Sequence, residues 1–195
     1  MVKVGVLALQ GAFREHAEVF DALGAETCLV KRPDQLAGID AIALPGGEST
    51  TQTKLLATSG LKDPLIQAMR DGLGCFATCA GMILLAAELH DARADQQPLA
   101  LLDISVQRNG YGRQVLSFEA EIDIDGMPEG FTGIFIRAPR VTRVGNSVEV
   151  LASLGSDPVL VRCGNIWAAG FHPELSNDLR LHQLFLNQLA TTEGV

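Results

Sequence analysis

The 195-residue chain carries one tryptophan, one tyrosine and four cysteines, and it nowhere gathers its lysines and arginines into a run. A nucleic-acid surface needs a concentrated basic face, and a peripheral membrane contact needs a polybasic stretch. A formal net charge of -8 without such a run argues against both partners. Spanning segments and secretory leaders are missing too. The apolar run Val2 to Leu9 is too short for either and is stopped by Gln10-Gly11. A cytoplasmic location is therefore the simplest expectation. Cys28, Cys75, Cys79 and Cys163 have neither disulfide-framework nor zinc-ribbon spacing, so reduced thiols are expected, with no bound metal and no cofactor. Three of them, Cys28, Cys75 and Cys163, lie inside apolar strand-like runs and read as core residues.

What is present suits a sheet covered by helices: 47% hydrophobic residues, 20 glycines and a positive mean hydropathy. A chain of this length can bury about 70% of its unfolded surface, and residues 1–195 read as a single domain. Val2 to Leu9 has the near-continuous apolar character of a parallel strand buried on both faces. Phe13, Ala17, Phe20 and Leu23 fall on one stripe of an amphipathic helix closed by Gly24. Strands follow at Thr27 to Lys31 and Asp40 to Leu44, helices at about Thr50 to Thr58 and Pro64 to Arg70, a strand at Cys75 to Thr78 and a helix from about Ala80 to Leu89. After the polar stretch His90 to Gln97 the rhythm changes. Six short strand-like runs lie between Leu101 and Phe171 with little helix, which predicts antiparallel hairpins added to the parallel sheet. A last helix, Asp178 to Thr191, has Leu181, Leu184, Phe185 and Leu189 on one stripe and Ser176 or Asn177 as its cap.

Three stretches carry chemistry, and each has a plainer alternative when taken alone. Cys79 stands where an apolar strand gives way to a helix; such a junction thrusts the side chain out beside free N–H groups and the positive end of the helix. Alone, it reads more readily as a buried inert cysteine, which is what most cysteines are. The loop Pro45-Gly46-Gly47-Glu48-Ser49-Thr50 joins a strand to a helix and offers backbone N–H groups to an anion, or simply turns and caps. It lacks the Lys-Ser or Lys-Thr of a Walker loop. In His172-Pro173-Glu174 the proline keeps the chain extended, so the histidine and the carboxylate two residues on point the same way. That is an orienter and a base, or a capping carboxylate beside a surface histidine. His16, His90 and His182 have no such neighbour and read as surface or packing residues.

All three stretches follow strand ends, and in a parallel sheet those loops share one edge, where ligand sites form. Together they compose a nucleophile, a base and an orienter, with backbone N–H groups of Gly47 and Ala80 placed to receive an oxyanion.

At this point the chain resembles the class I glutamine amidotransferases, and within them the glutaminase subunits of pyridoxal 5'-phosphate synthase. The resemblance rests on Gly5 to Gly11, Lys31-Arg32-Pro33, Leu44 to Thr51, Thr78-Cys79-Ala80-Gly81, Arg108-Asn109 with Gly112-Arg113-Gln114, Phe118-Glu119-Ala120, Phe135 to Pro139 and Phe171 to Leu175. It implies an α/β, three-layer, mostly parallel twisted sheet of flavodoxin-like type, flanked by helices and extended by antiparallel hairpins. It also implies hydrolysis of L-glutamine to L-glutamate and ammonia by Cys79, His172 and Glu174 through a glutamyl thioester. Gly46, Gly47, Glu48, Arg108, Ile136 and Arg137 would line the glutamine site, Arg108 supplying a charge-assisted donor to the α-carboxylate; for Arg137 a structural ion pair is the alternative. The implied partner is a (β/α)-barrel synthase subunit in a large hetero-oligomer, which builds pyridoxal 5'-phosphate from ribose 5-phosphate, glyceraldehyde 3-phosphate and the delivered ammonia. The resemblance thus files the chain under hydrolase and, through the synthase, under lyase. Low activity without the partner is a further expectation. The rival assignments are a glutaminase serving another synthase, such as that of histidine biosynthesis, and a non-catalytic scaffold that binds an amino acid. A nucleotide-binding module is weaker, since neither glycine-rich stretch fits a phosphate fingerprint.

Overall fold

Alternation within the central strands decides which residues cover which face of the sheet. The computed structural model describes residues 1–93, 95–110 and 117–192; Gly112-Arg113-Gln114 and Tyr111 lie outside the described residues. In chain order the elements are β1 (Lys3–Leu7), α1 (Phe13–Ala22), β2 (Glu26–Val30), β3 (Ala41–Leu44), α2 (Ser49–Thr58), α3 (Lys62–Arg70), β4 (Gly74–Thr78), α4 (Ala80–Leu85), β5 (Ala86–His90), β6 (Leu102–Gln107), β7 (Ser117–Ile122), β8 (Phe131–Ile136), β9 (Arg140–Val144), β10 (Glu149–Leu154), β11 (Asp157–Cys163), β12 (Ile166–Ala169) and α5 (Arg180–Thr192). A seven-stranded sheet has the order β10-β11-β12-β4-β3-β1-β2. Its five strands from β12 to β2 are parallel, and β10 and β11 extend one edge as antiparallel hairpins.

The registers Ile42 opposite Cys75 and Ala43 opposite Phe76 fix two faces. Ile42, Leu44, Cys75 and Ala77 point to one side with Leu56 of α2, Leu65 of α3 and Met82 of α4. Ala41, Ala43 and Phe76 point to the other with Phe20 of α1 and Leu181 and Phe185 of α5. Every residue of β3 and β4 is buried, the signature of strands covered on both faces. Helix, sheet and helix make the expected three layers.

Three expectations change. The helix begun at Ala80 ends at Leu85, because Ala86 turns to an extended conformation (φ -56°, ψ 147°) and residues 86–90 pair in parallel with β6. His90 consequently ends a strand. The strand β9 was not expected; its Arg-Val-Thr-Arg-Val sequence exposes both arginines and buries Val141 against β6, as an edge strand of the small sheet β5-β6-β9 does. The hairpin β7-β8 forms its own two-stranded unit rather than joining the main sheet. Among the described residues no helix is long and apolar enough to cross a membrane. All four cysteines are free, with Cys75 buried and Cys28 and Cys163 half-buried at the margin of the core.

Candidate active site

The loops after β1, β3, β4 and β12 meet at the carboxyl edge of the parallel strands. There they enclose a cavity of about 340 Å³ lined by Gln10, Gly46, Gly47, Glu48, Cys79, Arg108, Ile136, Arg137 and His172, among others.

Cys79 joins β4 to α4 with φ 48° and ψ -101°, a left-handed conformation that costs a non-glycine residue about 1–3 kcal/mol. The surroundings over-determine it. The Cys79 N–H donates to the Ala169 carbonyl of β12 at 2.8 Å, and its own carbonyl accepts from the Ile83 N–H at 3.2 Å. Gly81 lets the new helix start against β3, since a Cβ there would lie 2.2 Å from the Leu44 carbonyl oxygen. The outcome is a sulfur pointed over the strand ends, with Sγ 3.8 Å from the Ile136 carbonyl oxygen. Ala80 opens α4 beside it, and a first-turn N–H has no acceptor within its own helix.

His172 leaves β12 through Phe171, with its N–H bonded to the Ile134 carbonyl at 2.8 Å. Its Nδ1 meets Glu174 Oε1 at 2.7 Å, and Glu174 is buried behind it. Burial disfavours the charged ring, yet hydrogen bonds and charge from Cys79 and Glu174 outweigh that and raise the His172 pKa to about 10. Burial likewise pushes Glu174 upward, but the nearby His16 ring and the charge and hydrogen bond of His172 hold it below the ordinary glutamate value. The arrangement favours an imidazolium facing sulfur, oriented by an ionised carboxylate.

The glycine loop approaches so closely that a Cβ on Gly46 would sit 2.3 Å from Cε1 of His172, and one on Gly47 would sit 2.5 Å from Gln10 Oε1. The Gly46 N–H donates to Thr78 Oγ1 (3.0 Å) and its carbonyl accepts from the Ala12 N–H (3.0 Å). Glu48, rather than a serine or threonine, caps α2: its carboxylate accepts from the N–H groups of Thr50 and Thr51 and from the Thr51 hydroxyl. Desolvation opposes these bonds, but they keep the Glu48 pKa below its usual value. Arg108 reaches Glu48 Oε1 at 3.4 Å with Nη2, while its buried Nε has no partner among the described residues and is placed for an incoming carboxylate. Arg137, like Cys79, has a positive φ, 43°.

Every residue expected at the site thus lies at this edge: seven of the expected residues line the cavity beside Cys79, Glu174 stands behind His172, and Ala80 sits next to the sulfur. Gln52 was not among the expected residues; with Gln10 it struts the glycine loop. Gln10 Oε1 accepts from the Glu48 N–H (2.8 Å), and Gln52 Nε2 donates to the carbonyls of Gln10 and Pro45 (2.9 and 3.0 Å). His16 was set aside as a surface or packing residue and is fully buried, with Nε2 3.0 Å from Thr78 Oγ1 and 3.6 Å from Glu174 Oε2. Its spacing from Val19 and Phe20 on the buried stripe of α1 was the available signal.

A parallel sheet carrying a cysteine elbow, a glycine loop and a histidine-carboxylate pair at one edge defines a glutamine amidotransferase. The model of the SNO glutamine amidotransferase family matches residues 6–191, and the chain belongs to that family. It is 54% identical to the pyridoxal 5'-phosphate synthase subunit PdxT of Pelotomaculum thermopropionicum over 96% of this chain and 95% of that protein. It is 49% identical to the subunit PdxT of Thermotoga maritima, over 96% and 100%. A crystal structure of a glutamine amidotransferase superposes with a TM-score of 0.91 at 48% identity, covering 96% of this chain and 98% of the other. The lyase label falls here: the family and these relatives define a glutamine-hydrolysing subunit, so hydrolase stands and lyase does not.

Proposed function

We propose that this chain is, as a single glutaminase domain over residues 1–195, the ammonia-producing subunit of a pyridoxal 5'-phosphate synthase. The observation that carries the catalytic part is the strained Cys79 elbow facing a His172 ring whose Nδ1 is held by Glu174 at 2.7 Å. Cys79 sulfur attacks the carboxamide carbon of glutamine, and the oxyanion falls to the N–H groups of Gly47 and Ala80, donors worth about 2.7–4 kcal/mol each in such roles. The His172 imidazolium gives its proton to the departing nitrogen, so the C–N bond breaks and ammonia leaves a glutamyl thioester. The now neutral His172 takes a proton from water, whose oxygen attacks the thioester; the C–S bond breaks, glutamate departs, and the thiolate and imidazolium are restored. Glu174 holds the ring in one tautomer throughout. Arg108 binds the α-carboxylate, and Gly46, Glu48, Ile136 and Arg137 complete the substrate wall.

The ammonia passes to a (β/α)-barrel synthase subunit within a large hetero-oligomer, which combines it with ribose 5-phosphate and glyceraldehyde 3-phosphate. The partner raises a low basal turnover by ordering the Gly46-Gly47 backbone against Gln10; equal turnover with and without it would refute this control. For the nucleophile the test is labelling with a glutamine-mimicking electrophile followed by peptide mapping. One adduct on Cys79, blocked by glutamine, is expected. An adduct on another cysteine, or none, would overturn the assignment.

A further inference from the structure

Behind the triad runs a chain of buried polar side chains for which the mechanism above has no use. His182 Nε2 lies 3.4 Å from His16 Nδ1, and His16 Nε2 lies 3.0 Å from Thr78 Oγ1 and 3.6 Å from Glu174 Oε2. Thr78 Oγ1 in turn receives the Gly46 N–H, and Glu174 Oε1 holds His172. Both histidines and Thr78 are fully buried, among Phe20, Phe76 and Phe185. Glu174 Oε2 and His182 Nδ1 have no hydrogen-bond partner among the described residues.

Two proton placements are open to a neutral pair. If His16 carries its hydrogen on Nδ1, it donates to His182 Nε2. The His182 hydrogen must then sit on Nδ1, where a buried N–H has no acceptor, and the lone pair of His16 Nε2 faces the carboxylate. If both rings carry hydrogen on Nε2, His182 donates to His16, and His16 donates to Thr78 with its N–H dipole toward the unpaired Oε2. The first placement satisfies the Thr78 hydroxyl hydrogen and the second does not, so the count of orphaned hydrogens is equal. Charge decides, because a lone pair 3.6 Å from an ionised oxygen in a dry interior is repelled and an N–H is attracted. The groups facing His16 are Glu174 on the turn after β12, His172 before it, His182 on α5, Thr78 on β4 and Glu15 on its own helix. Burial keeps both histidines below their ordinary pKa, His182 well below, which favours the neutral pair at pH 7.

We propose that His16, as a neutral Nε2–H donor backed by His182, is a positioning residue that locks Glu174 behind His172 and, through Thr78, fixes the Gly46 amide of the glycine loop. The inference rests on the Cys79-His172-Glu174 assignment. One side chain thereby ties the orienter of the base to the loop that receives the oxyanion.

The test uses the full chain in complex with its synthase subunit. In the His16→Leu variant kcat for glutamine falls about 10- to 100-fold, as displaced catalytic groups do, while KM stays near its original value. The acidic limb of its kcat profile moves to higher pH, because Glu174 has lost a favourable dipole. His16→Gln, whose side-chain amide presents a donor at similar reach, recovers most of kcat. Long-range proton–nitrogen spectra of the chain with ¹⁵N-labelled histidine show hydrogen on Nε2 of His16 and His182. Wild-type kcat and pH profile in folded His16→Leu, a His16→Gln as impaired as His16→Leu, or an Nδ1–H signature on His16 would each overturn the proposal. If His16→Leu does not fold, the spectra and His16→Gln decide. Failure of the triad itself reads out separately, as glutamine hydrolysis retained by Cys79→Ala, and leaves the tautomer result standing.

Discussion

Gly46 has no room for a methyl group beside Cε1 of His172, so the loop and the base are fitted to one another at the level of single atoms. Gly46→Ala is expected to lower glutamine hydrolysis about 100-fold by displacing ring or loop, with an unchanged circular dichroism spectrum; full activity would contradict the fit. The His172 pKa near 10 depends on sulfur as well as on the carboxylate. Cys79→Ala is therefore expected to bring the His172 titration down toward neutrality, read as its ring shifts against pH. A group with a raised folded value stabilises fully below its unfolded pKa of about 6.5 and loses that contribution as pH rises through the folded value. Alkaline stability loss between those limits should accordingly shrink in Cys79→Ala. Glu174 has the opposite sign. Its depressed value gives stability above the unfolded value of about 4.3 that disappears as pH falls through the folded one. Glu174→Gln should flatten the acid limb of a pH–denaturation series and lower kcat by roughly 10²- to 10⁴-fold.

At the scale of elements, α2 shows one residue serving two purposes. Glu48 caps the helix through Thr50 and Thr51 and also forms a wall of the cavity beside Arg108. Glu48→Ala is expected to cost about 0.5–2 kcal/mol of stability, visible as a lowered Tm, together with a raised KM for glutamine. A changed KM without a Tm shift would separate the two roles. The cap also shows what was legible. Strand, loop and helix were evident around Gly46-Gly47 because apolar runs, glycines and helix formers each announce themselves locally. Serine and threonine were the expected caps, and only the loop geometry reveals that the longer carboxylate reaches back to the same N–H groups. The same limit hid β5 and β9. Residues 86–90 and 140–144 become strands by pairing with β6, a partner distant in sequence, and local propensity does not record it. Cys79, His172 and Glu174 were legible because each marks a strand end, and the parallel order of β12, β4, β3 and β1 brings strand ends together. His16 was not, because its polar partners come from three other segments.

For the whole molecule, the sheet is both core and scaffold. Phe76 and Phe185 pack against each other beneath the histidine pair, with ring centroids 5.2 Å apart. Phe185→Ala is expected to cost about 3–5 kcal/mol, a large part of the 5–15 kcal/mol typical of a domain. A denaturant midpoint close to wild type would contradict that placement. The candidate site lies at the carboxyl edge of the parallel strands, and the chain belongs to a glutamine amidotransferase family. The most direct measurement is pyridoxal 5'-phosphate formation by Cys79→Ala mixed with the synthase subunit, supplied in turn with glutamine and with ammonium. The account predicts that the glutamine-dependent reaction is lost and the ammonium-dependent reaction proceeds; undiminished synthesis from glutamine would contradict it.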